Sequence, residues 1–294
     1  MRKTKENSEI NNPFAVVKKD SDTVYELIPN SNKTVQPVAL LRLSVFTPVA
    51  PQEKGKRDFL IDASEELGSL EVARQEGYTN IQIQGAKLSM STDFKTWIGI
   101  ISAFSVYGYS NATIKLPFTE FAKMCGIKSS DFNLRSRKRL NESLFNISGV
   151  TLGFSSKDGR KFMTTHLVQY AILNMDTDTV EITGDPRLWE LYRYDNKVLL
   201  SLKALSELSR KEAAQSLYIY FESMPPGKLF ISMKRLRERL ALESPVKTQN
   251  LIIRRALADL NRIGYLDYIE LKKGREIQII VNSRSPKLQG LASY

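Results

Sequence analysis

Lys247, Thr248, Asn250, Leu251, Arg254 and Arg255 lie close together in the stretch from Ser244 to Tyr268. They bring hydrogen-bond donors, one carboxamide and one apolar side chain, but no histidine beside them to activate a nucleophile. Such a set recognises rather than reacts: arginine donates in pairs to guanine, asparagine pairs with adenine, and an apolar side chain meets the thymine methyl. Three further groups of cations suit anionic oxygens. They are Lys272, Lys273 and Arg275; Lys157, Arg160 and Lys161; and Arg135, Lys138 and Arg139.

Residues able to make or break bonds are scarce. His166 is the one histidine and Cys125 the one cysteine, so neither a histidine-pair metal site nor a structural zinc tetrahedron can be assembled. Gly227-Lys228 lacks the upstream glycine and the following hydroxyl residue of a phosphate-binding loop. No Gly-x-Ser-x-Gly turn accompanies the lone histidine. The chain is therefore expected not to be an enzyme and to need no cofactor and no metal, with His166 an ordinary strand residue. A nuclease built on carboxylates stays open as an alternative class.

The elements that must position the cations can be read from periodicity. Wound at about 100° per residue, Ile253, Ala256, Leu257, Leu260 and Ile263 share one stripe, and Lys247, Arg254, Arg255 and Arg262 fall on or near the opposite face. Pro245 suits the start of this helix and Gly264 its stop. Ser232 to Leu242 reads as a shorter helix before it, and Leu229 to Ile231 as a strand. Tyr265 to Leu271 and Glu276 to Val281 form a hairpin around Lys272-Lys273-Gly274-Arg275. Helix, tight turn, helix, hairpin is the order of a winged helix-turn-helix, whose second helix enters the major groove.

The same layout recurs upstream. Ile114, Leu116, Phe121, Cys125, Ile127 and Ser129 precede Leu229, Ile231, Leu236, Leu240, Leu242 and Ser244 by 115 residues. With an offset one larger, Lys138-Arg139 matches Arg254-Arg255, and Leu144 and Ile147 match Leu260 and Ile263. Recurrence at corresponding positions marks a duplicated unit. The expected fold is α+β, two tandem winged helix-turn-helix domains, pseudo-duplicated, with Lys157 to Lys161 as the tip of the first wing. Arg137 falls near the core stripe of the first copy and Glu142 on its exposed face, so that copy displays its cations less cleanly.

Four segments follow. Residues 1–34 are polar and read as an arm, 35–184 as the first domain, 185–288 as the second, principal DNA-binding domain, and 289–294 as a tail. Val35 to Val49 reads as strand-forming, Asp62 to Gly77 as a capped helix, Ile81 to Gln84 as a strand, and Phe94 to Tyr107 as a buried first helix. Asp185-Pro-Arg-Leu-Trp-Glu-Leu-Tyr192 starts a helix; Lys197 to Leu208 follows, and Arg210 to Met224 is the first helix of the second domain. Net charge is +11, and the stretch from Pro226 to Lys287 holds 14 Lys and Arg against 6 Asp and Glu. A polyanionic partner, double-stranded DNA, is expected. No signal peptide or long apolar span is apparent, so the expected location is the cytoplasm, without membrane attachment.

Several strings carry a resemblance: Asn32-Lys-Thr-Val-Gln-Pro-Val-Ala-Leu-Leu-Arg-Leu-Ser-Val-Phe46, Asp93-Phe-Lys-Thr-Trp-Ile-Gly-Ile-Ile101, Glu120-Phe-Ala-Lys-Met-Cys-Gly126, Arg210-Lys-Glu-Ala-Ala-Gln-Ser-Leu-Tyr218 and Arg262-Ile-Gly-Tyr-Leu-Asp-Tyr268. With them the sequence resembles the RepA-type replication initiators of RepFIB-like plasmids and plasmid prophages, within the iteron-binding initiator superfamily, from about residue 30 to 288. The resemblance implies a bacterial protein that binds repeated origin sites as a monomer. It also implies dimers, joined through the first domain, that autoregulate its promoter and limit copy number. Host chaperones, the host initiator ATPase and the replicative helicase are the implied partners. A purely transcriptional repressor is the alternative.

Overall fold

Pro37 ends the strand Lys33–Pro37 and caps a five-residue helix, α1 (Val38–Arg42), with φ −66° and ψ 139°. The computed structural model describes residues 2–3, 14, 16–20, 23–50, 56, 58–68, 71–108, 112–185, 189, 192, 197–274 and 276–284. Val35 to Val49 is therefore not strand throughout, as its composition predicts, but strand, helix and a short second strand. Val38, Ala39, Leu40 and Leu41 are buried on every side, and an unbroken apolar run carries no periodicity to separate helix from strand. Ser64–Leu67 (α2) and Glu71–Glu76 (α3) are two short helices where one was expected. Asp62 accepts from the Ser64 backbone N–H at 3.0 Å and from its hydroxyl at 2.7 Å, an Asx turn in place of a reciprocal cap.

Phe94, Trp97, Ile98, Ile101 and Phe104 build α4 (Asp93–Tyr107), buried along nearly its whole length. The short helix α5 (Phe118–Met124) crosses it closely, because a Cβ on Gly99 would overlap the Cys125 sulfur. The chain turns at Gly126, φ 74°, and enters α6 (Leu134–Ser148). A capping box starts that helix: Asn133 Oδ1 accepts from the Ser136 N–H at 3.0 Å, and Ser136 Oγ accepts from the Asn133 N–H at 3.1 Å.

In the second module α7 (Leu202–Glu207) leads to α8 (Glu212–Glu222), buried from Ala214 to Phe221. The strand Leu229–Ser232 follows, then α9 (Met233–Leu240), whose Ser232 cap accepts from the Arg235 N–H at 3.1 Å. Ala241, φ 47°, turns the chain, Pro245 caps α10 (Val246–Arg262), and Leu266–Lys273 with Glu276–Arg284 make the hairpin. The second hairpin strand pairs with Leu229–Ser232, closing a three-stranded sheet. Each module is a winged helix-turn-helix, and the fold is the tandem α+β arrangement expected.

The first wing differs from expectation. The strand Thr113–Pro117 pairs with Thr179–Thr183, which pairs with Tyr170–Asn174. By position in the sheet the first wing is therefore the hairpin from Tyr170 to Thr183, and its turn, Met-Asp-Thr-Asp from Met175 to Asp178, is acidic. Lys157, Arg160 and Lys161 sit instead at the tip of Thr151–His166, which belongs to another sheet ordered 162–166, 151–156, 78–85, 59–62. A basic tip after a helix marks a hairpin but does not say which strand that hairpin will pair with.

The modules are joined by chain that the sequence assigns to one of them. Lys33–Pro37 pairs with Lys197–Ser201, which makes the start of the Lys197 to Leu208 segment a strand rather than helix. Arg42 donates to the Ser223 carbonyl at 3.2 and 2.9 Å, the Ser44 hydroxyl to the Arg239 carbonyl at 2.9 Å, and Arg239 to the Leu41 carbonyl at 3.0 Å. Most of the expected Asp185 to Tyr192 helix lies outside the described residues, as do residues 1, 4–13, 15 and 21–22 and the whole tail. The rest of the expected arm is ordered: Val16–Asp20 pairs with Thr23–Leu27, and Phe14 is buried against Trp189 and Tyr192. Among the described residues no helix is long and apolar enough to cross a membrane.

Candidate nucleic-acid interface

Burial divides α10 as its periodicity requires. Ile253, Ala256, Leu257 and Leu260 are buried, and Lys247, Thr248, Leu251, Arg254 and Arg255 are exposed. Leu251 stays 46% exposed, a side chain that the core does not claim. Asn250 is half-buried, and its Oδ1 accepts from Arg237 Nη1 of α9 at 2.9 Å. That brace leaves the Nδ2 donor for a partner and spends part of the acceptor that an adenine would need. Gln249 anchors the helix start to the preceding turn through the Leu242 carbonyl at 2.8 Å.

Arg254 is not free. Its Nε donates to Glu270 Oε2 at 2.9 Å and its Nη2 to Oε1 at 2.7 Å. The hydrogen bonds from Arg254 hold the Glu270 carboxyl below the usual range, and the same bonds hold Arg254 the more firmly protonated. Arg262 pairs with Asp259 at 2.9 Å, so the end of the helix displays less positive charge than its composition implies. On the second wing Lys272 is exposed and Gly274, φ 64°, forms the turn. Lys273 lies in the strand with its side chain outside the described set, and Arg275 is outside it altogether.

In the first module Arg135, Lys138 and Arg139 are exposed on α6, with Glu142 beside them. Arg137 is half-buried over the Phe118 ring at 4.1 Å, and pairs with Asp178 of the first wing turn at 2.8 Å. It holds the wing to the helix and does not belong to the display. Arg135 and Arg139 line a cleft of about 680 Å³ together with Lys95, Lys128 and Arg210, and among the described residues that line it Asp131 is the one carboxylate. Arg210 arrives from the loop before α8, so both modules contribute. Burial, and then the charge of Arg139, push the Lys95 amine below its ordinary range. Such crowding of like charge suits an anion. Lys161 pairs with Glu76 at 3.5 Å, Arg160 stands 4.0 Å from Asp158, and Lys157 is exposed.

Glu270, Arg237, Lys95, Arg210 and Asp178 escaped the sequence reading. For Glu270 a signal existed: Leu266, Tyr268, Glu270 and Lys272 alternate along one strand face and pass from buried to exposed toward the tip. Chemistry of other kinds is not supported by what surrounds its candidates. His166 Nδ1 lies 3.3 Å from the Thr151 hydroxyl directly across the sheet, and burial pushes the Cys125 thiol up. Among the described residues no three His, Cys, Asp or Glu are grouped to hold a metal.

Two helix-turn-helix units, each with a wing and a cationic second helix, define a tandem winged-helix protein. Residues 86–222 match the family described as initiator replication protein, WH1. The chain is 46% identical to the replication protein RepA of Salmonella typhi over 279 residues, 94% of this chain and 80% of that one. It is also 46% identical to RepFIB replication protein A of Escherichia coli strain K12 over 276 residues, 92% and 85% of the two chains. Among solved structures, domains 2 and 3 of RctB align at TM-score 0.49 with 12% identity, over 80% of this chain and 94% of that one. The WH1 domain of the replication protein MSBI1.176 aligns at 0.26 with 18% identity, over 35% and 84%. The chain belongs to the RepA family of plasmid replication initiators.

Proposed function

We propose that the protein binds repeated double-stranded sites in a plasmid origin as a monomer, through both modules, and performs no reaction itself. The observation that carries this reading is the exposed face of α10, where Lys247, Thr248, Leu251, Arg254 and Arg255 are left uncovered by the core. In a winged helix the N-terminal part of the second helix lies deepest in the major groove; Lys247, Thr248 and Leu251 stand there, and Arg254 and Arg255 follow within the next turn. Asn250 contributes its free donor. Lys272, Lys273 and Arg275 would hold phosphates beside the groove, and Arg135, Lys138 and Arg139 would meet a second groove segment. The phosphate backbone joining the two groove segments would lie in the cleft that Lys95 and Arg210 line with Arg135 and Arg139.

A dimer formed through the first module would occupy the promoter, repress the gene and limit copy number. The monomer would recruit the host initiator ATPase and helicase at the origin, with chaperones shifting the balance toward it. The site of action would be plasmid DNA in the bacterial cytoplasm. The test places the gene and a repeat-bearing origin in a host, scores autonomous maintenance, and footprints the same DNA. Maintenance with protection phased to the repeats is expected, and both should fail for Arg254→Ala. Protection without maintenance would reduce the protein to a repressor, and metal-dependent nicking of the origin would make it a nuclease.

A further inference from the structure

Arg254 and Glu270 meet in a way that leaves one edge of the guanidinium open. The carboxylate takes Nε and Nη2. Nη1 makes no hydrogen bond among the described residues, so the edge formed by Nη1 and Nη2 still presents two parallel N–H groups. That is the edge able to donate in pairs to guanine O6 and N7. A long side chain that would otherwise sample several rotamers is held in one orientation on the exposed face of α10.

Stability does not account for the pair. The Arg254 side chain is 44% exposed and that of Glu270 33%, and exposed pairs contribute little to folding. The Arg137 and Asp178 pair is the contrast: there the guanidinium lies on an aromatic ring at a position matching buried Ile253, and it ties wing to helix.

The duplication supplies an internal control. Sheet register makes Val180 the counterpart of Ile279, since Leu116 pairs with the first and Ile231 with the second. Glu270 stands opposite Ile279 and Leu173 opposite Val180, so Leu173 occupies the place of Glu270 in the first copy. Lys138 occupies the place of Arg254. At these matched positions the first module therefore has neither the planar fork nor the carboxylate that would orient it.

We propose that Glu270 is a specificity-determining positioning residue, which holds Arg254 so that the second module reads one guanine from a position where the first module has no buttressed arginine. This rests on the reading that α10 enters the major groove. The experiment measures binding of the full chain and of Glu270→Gln, Arg254→Lys and Arg254→Ala. The duplexes are a cognate repeat, the same repeat changed one base pair at a time, and a random sequence, all at one salt concentration. Arg254→Ala should lose discrimination of about tenfold or more at one G·C pair. Glu270→Gln and Arg254→Lys should lose it at that same pair. Glu270→Gln should bind random duplex as well as or better than the unaltered protein, since it removes a negative charge. A uniform gain across all duplexes with discrimination intact would make Glu270 a mere electrostatic brake and overturn the proposal while leaving the groove reading in place. If Arg254→Ala itself changes no position, the groove reading fails and the buttress with it.

Discussion

Gly126 and Ala241 stand 115 residues apart at one and the same turn, each with a left-handed backbone, φ 74° and 47°. Both carry the chain out of the short helix of a helix-turn-helix, and one of the two positions has been left with a side chain. A non-glycine residue there is strained, since its Cβ crowds the following carbonyl. Ala241→Gly is therefore expected to stabilise the protein by about 0.5 to 1 kcal/mol, the relief of strain being partly offset by the greater freedom of glycine in the unfolded chain. The carbonyl of Ala241, which accepts from Lys87 Nζ at 3.3 Å, is unaffected. Gly126→Ala should lose a similar amount, and through conformation alone, because nothing lies within 4 Å of where its Cβ would be. Urea unfolding of both variants checks the opposite signs; equal signs would refute the matching of the two turns.

Arg254→Ala should weaken binding to the cognate repeat by about 1 to 3 kcal/mol and relax preference at one position. A wing cation should behave otherwise. Lys273→Ala should weaken binding to every sequence alike and lower the salt slope by about 1, as expected for the loss of one phosphate contact. Titrations on specific and random duplexes at several salt concentrations separate the two behaviours. Unaltered affinities for Arg254→Ala on both duplexes would remove its base-reading role.

The second module was legible because its signals are local. Apolar spacing along α10, the stop at Gly264 and the hairpin around Gly274 all act within a few residues of themselves. What escaped depends on distant partners. The strand Lys197–Ser201 exists because Lys33–Pro37 lies beside it, and the first wing is the Tyr170 to Thr183 hairpin because its second strand pairs with Thr113–Pro117. Charge misled for the same reason: counting cations located the surface but could not show that Glu270 and Asp259 each take an arginine. Arg137 was visible as an anomaly on the apolar stripe. Its explanation, the Phe118 ring and the Asp178 carboxylate, was not.

The cleft between the modules makes a separate prediction. Lys95, Arg139 and Arg210 line it from three elements, and among the described residues of its walls only Asp131 is acidic. Lys95→Ala and Arg210→Ala should each weaken specific and random binding by the same factor and lower the salt slope by about 1. Their effect should fade on duplexes too short to reach both modules. If shortening the duplex leaves the loss undiminished, the cleft does not hold the backbone between the two contacts.

Asp93 gives folding a pH dependence of definite sign. Its carboxyl sits at the start of α4, almost wholly buried, and accepts from the Ser89 N–H at 2.8 Å. Burial raises its pKa even though the Ser89 N–H and the neighbouring Ser143 favour the charged form. The folded chain thus holds this proton to a higher pH than the unfolded chain, whose carboxyl titrates near about 3.9. The stability gained from that proton is complete below the unfolded value and is lost as pH rises through the raised one. Asp93→Asn keeps the side-chain shape and an acceptor for Ser89 but has no proton to lose. Its stability relative to the unaltered protein should therefore climb with pH from about 4 upward and level off once Asp93 has ionised. Urea unfolding of the two proteins across that interval reads the difference directly, and parallel curves would show that Asp93 titrates alike in the folded and unfolded chains.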